Sequence, residues 1–237
     1  MTRLRIAHAG RLAALLLPGL AVAAGLNDIG VTQCANLTQN GLACPQTSFP
    51  RQDAETGRDA QAGLQKAGGG SAGFDFTTLS GGCVRDNVTG RVWEVKTDDN
   101  GLRDKDWTYT WYNPDPATND GNVGRLGSNT CGGFLGNQCN TQAYVTAVNA
   151  LNPALCGFTD WRMPTGEELR TIVDYSRSNP TIDTGYFPNT VSNWYWSASP
   201  DAPDARSAWV VDFGYGDGAI FKSWDYAVRL VRGGQWF

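Results

Sequence analysis

Six cysteines, Cys34, Cys44, Cys83, Cys131, Cys139 and Cys156, constrain this 237-residue chain more than any other feature. They form an even set, as in proteins made for an oxidising compartment. If all are bridged, the fold is stapled at three places and keeps no thiolate for nucleophilic or metal chemistry. Six cysteines allow many pairings. Proximity favours Cys34 with Cys44 and Cys131 with Cys139, which leaves Cys83 for Cys156. A bridge closing that long segment stabilises the fold by roughly 4 kcal/mol in the loop-entropy picture.

The single histidine is His8. It lies in "MTRLRIAHAGRLAALLLPGLAVAAG", where Arg3, Arg5 and Arg11 precede an apolar run that ends in small residues. That is the layout of a secretory signal peptide, cleaved after Ala23 or Ala24. The run is broken by Pro18 and Gly19 and falls short of the roughly 20 residues a spanning helix needs, and no later stretch qualifies. Residues 1–24 are therefore expected to be a removed leader, and the chain beyond them has no histidine. This excludes a Ser/His/Asp triad, a Cys/His pair and every histidine-ligated metal. What survives is chemistry by carboxylates, tyrosine, lysine or a hard cation. Loss of the three arginines takes the formal charge from −4 to −7, a balance that disfavours nucleic acid and anionic membranes as partners.

All nine tryptophans fall between Trp93 and Trp236. Residues 25–80 are poor in aromatics, and "AGGGSAG" at 67–73 reads as a flexible connector. They are expected to form an arm that packs through "FDFTTL" against a domain over 81–237, where the large apolar side chains can build a core. Within it, "RVWEVK" at 91–96 alternates like a half-buried strand. Residues 97–139 are irregular. "TQAYVTAVNAL" places Tyr144, Val145, Val148 and Leu151 at helical spacing, with Asn140 or Thr141 as cap. "DWRMPTGEELRTIV" at 160–173 starts a second helix: Pro164 disfavours a helical Met163, Thr165 and Glu168 have capping-box spacing, and Leu169, Ile172 and Val173 share one face. Asp160 and Arg162, flanking Trp161, are expected to join a structural pair or network. The last third, "WYWSAS", "AWVVDFG", "AIFKS" and "YAVRLVR", reads as an antiparallel meander, so the class is α+β.

"CVRDNVTGRVWEVK" (83–96), "DWRMPTGEEL" (160–169), "FPNT" (187–190), "YWSAS" (195–199), "WVVDFGYG" (209–216) and "YAVRLVRGG" (226–234) together resemble the Lcl C-terminal domain family, named for the end of a bacterial collagen-like adhesin. The resemblance implies a C-type-lectin-like fold with two helices, a small twisted antiparallel sheet and long loops. It also implies a binding role at the bacterial cell surface, with polyanionic sugars suggested for the namesake. This chain lacks a collagen-like Gly-X-Y region and an obvious basic patch, so the fold carries over more safely than the ligand.

"TDDNGLRDKD" (97–106) offers Asp98, Asp99, Asn100, Asp104 and Asp106 as hard oxygen donors for calcium, but without EF-hand spacing, and such runs are commonly solvated loops. Trp194 and Trp196 share one face of a strand, where they serve as core or stack on a sugar ring. In the fold that the resemblance implies, "SASPDAPDARSAW", "GYGDG" and "KSWDY" gather at one end of the sheet. Trp194, Asp201, Asp204, Arg206, Tyr215, Asp217, Lys222, Trp224 and Asp225 are then the expected ligand-binding face. The expected function is non-catalytic adhesion or carbohydrate recognition by an exported protein without a cofactor. Two alternatives stand beside it. One is a protein-binding display face of the kind that diversity-generating retroelements rewrite in related domains; the other is a carboxylate-based hydrolase.

Overall fold

The computed structural model of the chain describes residues 27–214 and 216–233. The expected leader, Tyr215 and the last four residues lie outside the described residues, and Asp217 is described in its backbone alone. The elements follow in the order α1 (Asp53–Thr56), β1 (Phe76–Leu79), β2 (Cys83–Asp86), β3 (Arg91–Glu94), α2 (Thr141–Asn149), α3 (Gly166–Arg170), β4 (Trp194–Pro200), β5 (Ser207–Asp212), β6 (Gly216–Phe221) and β7 (Val231–Gly233). The class is mixed helix and sheet, as expected, but the strands form two antiparallel sheets rather than one. They are a four-stranded sheet in the order β1-β2-β3-β7 and a three-stranded meander β4-β5-β6.

Two alternating patterns read differently once their neighbours are present. All four residues of β3 are buried instead of every second one. Val92 joins one apolar cluster, Trp93 joins the other, and the polar ends of Arg91 and Glu94 find internal partners. "YAVRLVR" is not the last strand of the meander. Tyr226 bridges Tyr109, Ala227 bridges Tyr195 and the Leu230 carbonyl accepts the Glu94 N–H, so only Val231–Gly233 remains to pair with β3. This segment stitches the two sheets together, because its backbone groups have partners on both.

Both faces of β4 are buried: Trp196 and Trp194 pack with Val210 and Ala208 in one cluster, while Tyr195 and Val211 lie in the other, beneath α3. Asn140 proves to be the cap of α2, its side chain accepting the Ala143 N–H at 2.9 Å. The capping box of Thr165 and Glu168 is present. The three disulfides are Cys34–Cys44, Cys83–Cys156 and Cys131–Cys139, and no cysteine is free.

The arm begins to build the fold well before residue 81. β1 pairs along its whole length with β2, and Phe74 and Phe76 are buried in the second cluster. Further upstream, Asn27 donates to Asp86 Oδ2 and to the Thr171 carbonyl, both at 3.0 Å. No helix among the described residues is long and apolar enough to cross a membrane.

Candidate binding site

Chain topology sets an irregular loop, the starts of both main helices and the far end of β4 around one cleft of about 950 Å³. One wall is Trp111 to Gly121. The opposite side is made by Thr141, Gln142 and Val145 of α2, by Arg162, Met163 and Thr165 ahead of α3, and by Ala198, Ser199 and Pro200 of β4.

The loop is held by its own side chains. Asn113, Asp115, Asn119 and Asn122 each accept the N–H of the residue two places on, at 3.0, 2.9, 2.9 and 2.9 Å. Such Asx turns fix a backbone outside regular helix and strand, whose two limbs are joined by one bridge, the Asn113 N–H on the Val123 carbonyl and the Arg125 N–H on the Trp111 carbonyl. Thr141 secures the loop to α2 by accepting the Tyr112 N–H and donating to the Tyr112 carbonyl. Lys222 secures it from behind: its ammonium donates to the carbonyls of Asn119 (3.0 Å) and Asn122 (2.8 Å) and lies 4.0 Å from the centre of the Trp111 ring. The indole of Trp111 in turn donates to the Ser197 carbonyl.

Across the cleft, Arg162 grips Glu168 with two hydrogen bonds of 2.6 and 2.7 Å, and Arg91 reaches the same carboxylate at 3.0 Å. Burial pushes the Glu168 carboxyl up, but Arg162, the Thr165 N–H and Arg91 outweigh it and hold it below its usual range. The cleft therefore has a rigid wall made of aromatic, apolar, carboxylate, amide and hydroxyl groups. Such a surface can bind a polar ligand in one orientation.

The residues expected to form a binding face do not all reach one surface. Lys222 is a correction: it is buried, because its charge serves the carbonyls of the cleft loop. Trp194 is half-buried, with its ring 5.2 Å from Tyr226. Trp224 is 56 % exposed and stacks on the same Tyr226. Asp225 is partly buried, its Oδ1 lacks a donor, and burial raises its carboxyl. Asp204 takes both hydrogen bonds of Arg206 at 2.9 Å, and this guanidinium lies over Phe221. Asp201 closes the β4–β5 loop through its backbone bond to Ser207. Tyr215 and the Asp217 side chain lie outside the described residues.

The acidic run weighed as a calcium loop against a solvated one is closed by its own groups. Oxygens of Asp98, Asp104 and Asp106 lie within 4.8 Å of one another. The Lys105 ammonium joins Asp98 at 3.2 Å and Asp106 at 2.9 Å, and the Asp104 carboxylate accepts the N–H groups of Asp99, Asn100 and Asp106. Asn100 enters this arrangement by its backbone N–H.

Sequence reading missed the cleft, although "NPDPATNDGN" carried a usable signal: Asn or Asp standing two places before the residue it binds, repeated along the run. It also missed Trp209 and Phe221, both exposed, which sit on opposing strands of the same sheet face, two residues out of register.

The description "Lcl C-terminal domain" matches residues 82–232. Neither the curated proteins nor the solved structures contain a match to the chain.

Proposed function

The chain belongs to the Lcl C-terminal domain family, and from that premise we propose that it is an exported binding module that holds a carbohydrate in the Trp111–Pro200 cleft and leaves it chemically unchanged. Its expected architecture is C-type-lectin-like. The observation that carries this reading is the cleft wall itself. Asp115, Thr118 and Asn113 are bonded to one another within the loop, so their polar groups present a preset pattern beside Tyr112, Pro116 and Met163. A sugar is recognised by that combination of flat apolar surface and fixed hydrogen-bonding groups, and a preset wall spares the ordering cost of binding. The three disulfides suit an extracellular domain. Of the acids at the cleft, Asp115 is tied into the loop and Glu168 into Arg162, placements that serve scaffolding, while Asp120 lines the cleft as a group that can hydrogen-bond a ligand.

A glycan array tests this. Retention is expected on a subset of glycans and should disappear in Gln142→Ala combined with Asp120→Asn. Trp224→Ala should bind as the wild type does. A second reading rests on the exposed Trp209 and Phe221, an aromatic patch suited to a protein partner. Silence across all glycans, together with capture of a surface protein that Trp209→Ala abolishes, would replace the first reading by the second.

A further inference from the structure

Two Asn-X-Thr triplets without proline occur in the chain, Asn36-Leu37-Thr38 and Asn87-Val88-Thr89. This is the pattern read when a glycan is attached to an asparagine amide in exported proteins, and the bulky product needs a surface position. The fold treats the two triplets in opposite ways. Both amide hydrogens of Asn87 are spent inside, with Nδ2 donating to Asp75 Oδ1 at 2.8 Å and to Thr77 Oγ1 at 2.9 Å. Thr89 is buried, and its hydroxyl donates to Asp86 Oδ2 rather than to Asn87. A substituent on the Asn87 nitrogen would displace these bonds and take a donor from the buried Asp75.

Asn36 lies in a loop held from several sides. Cys34 is bridged to Cys44, Cys34 and Leu42 exchange backbone hydrogen bonds of 2.8 and 2.7 Å, and the Gln52 amide holds both the N–H and the carbonyl of Ala35. On this frame Leu37 is 87 % exposed, and Thr38 and Gln39 are exposed beside it. Asn36 Oδ1 accepts three hydrogen bonds, from the N–H groups of Thr38 and Gln39, both at 2.9 Å, and from the Thr38 hydroxyl at 3.1 Å. Its Nδ2 donates to no group among the described residues.

An amide nitrogen is a weak nucleophile, because its lone pair is shared with the carbonyl. Three donors on Oδ1 fix the rotation of the side chain and favour the form in which negative charge moves onto that oxygen, so a proton leaves Nδ2 more readily. Beside Asn36 lies a groove of about 370 Å³ whose far side is Gln46, Thr47, Ser48 and Phe49. An aromatic ring among hydroxyl and amide groups is a surface on which the first sugar of an attached glycan can lie.

We propose that Asn36 is an N-glycosylation site and that Asn87 is not. The donor is an oligosaccharide carried on a polyprenyl pyrophosphate and presented by a membrane-bound transferase. A bond forms between Asn36 Nδ2 and the anomeric carbon, and the bond from that carbon to the pyrophosphate oxygen breaks. The pyrophosphate leaves with the electron pair, and the amide proton passes to a base of the transferase. The proposal rests on export of the chain but not on what the cleft holds.

The test takes the full chain from the exported fraction of the cells that make it and maps its peptides by mass spectrometry, before and after enzymatic release of amide-linked glycans. A single glycan is expected on the peptide that contains Asn36, with the Asn87 peptide bare. Asn36→Asp, which keeps the Oδ1 acceptor, and Thr38→Val, which keeps the size of the side chain, should each remove it, while Thr38→Ser should retain it. All three variants should keep the Cys34–Cys44 bridge, so that a lost glycan is not a lost fold. A bare Asn36 in the exported chain, a glycan on Asn87, or a glycan that survives in Asn36→Asp or Thr38→Val would each overturn the proposal. A chain recovered only from the cytosol, with Cys34 and Cys44 reduced, would overturn the export reading and the proposal with it.

Discussion

Glu168 shows how much one side chain can gather. Its carboxylate accepts the Thr165 N–H at the start of α3 and two arginines, Arg162 and Arg91. Glu168→Gln keeps the shape but removes the charge that both arginines face. The expected loss is about 3 kcal/mol, read by denaturant unfolding, since breaking a buried pair strands its partners. The pH dependence follows from the direction of the shift. The native carboxyl lies below its ordinary value of 4.5, so its contribution is fully present above that value and is lost as pH falls through the native one. The gap between wild type and variant should therefore narrow on acidification below about pH 4. The capping half of this role was legible, because Thr165 and Glu168 are three apart. The arginine half was not: Arg91 lies 77 residues upstream of Glu168. Asp160 and Arg162 behave in the same way. They join a network, as expected, but through separate partners, Arg232 and Glu168.

Helices and hairpins were the easiest elements to read, because caps, turn residues and periodicity are local. α2 and its Asn140 cap, the start of α3 and the β4-β5-β6 meander all follow from neighbours in sequence. The second sheet was not readable. Alternation in "YAVRLVR" says that one face is buried, but it cannot say that Ala227 bridges Tyr195 while Val231 pairs with Trp93. The cleft loop lies between these cases, with its Asx turns local and its Lys222 anchor remote. Lys222→Met should leave the sheets intact and strip two buried carbonyls of their donor, costing about 1–3 kcal/mol. Hydrogen exchange should then speed up at residues 119–124 well before it does in β5. Equal acceleration everywhere would mean that Lys222 supports the fold in general and not this loop.

At the scale of the molecule, bridges and burial unite segments that sequence reading had set apart. The tryptophan distribution puts a composition boundary near residue 80 with "FDFTTL" packed on the domain, and Phe74 and β1, which make up that segment, are built into the core and the sheet. A composition shift marks where large side chains are concentrated, not where pairing begins. Cys83–Cys156 spans 73 residues and ties β2 to the turn that follows α2. Replacing both cysteines by serine should lower stability by about 4 kcal/mol, seen as a fall in Tm and in denaturant midpoint. The two short-loop bridges should matter less by the same logarithmic dependence on loop length. On the proposed function the cleft, and not the β5–β6 face or the Trp224 turn, receives the ligand. Hydrogen-exchange footprinting with a glycan retained on the array tests it most directly. Protection is predicted at residues 111–121, 141–145, 162–165 and 198–200, with 207–212 and 219–225 unchanged; protection confined to the latter stretches would contradict the claim.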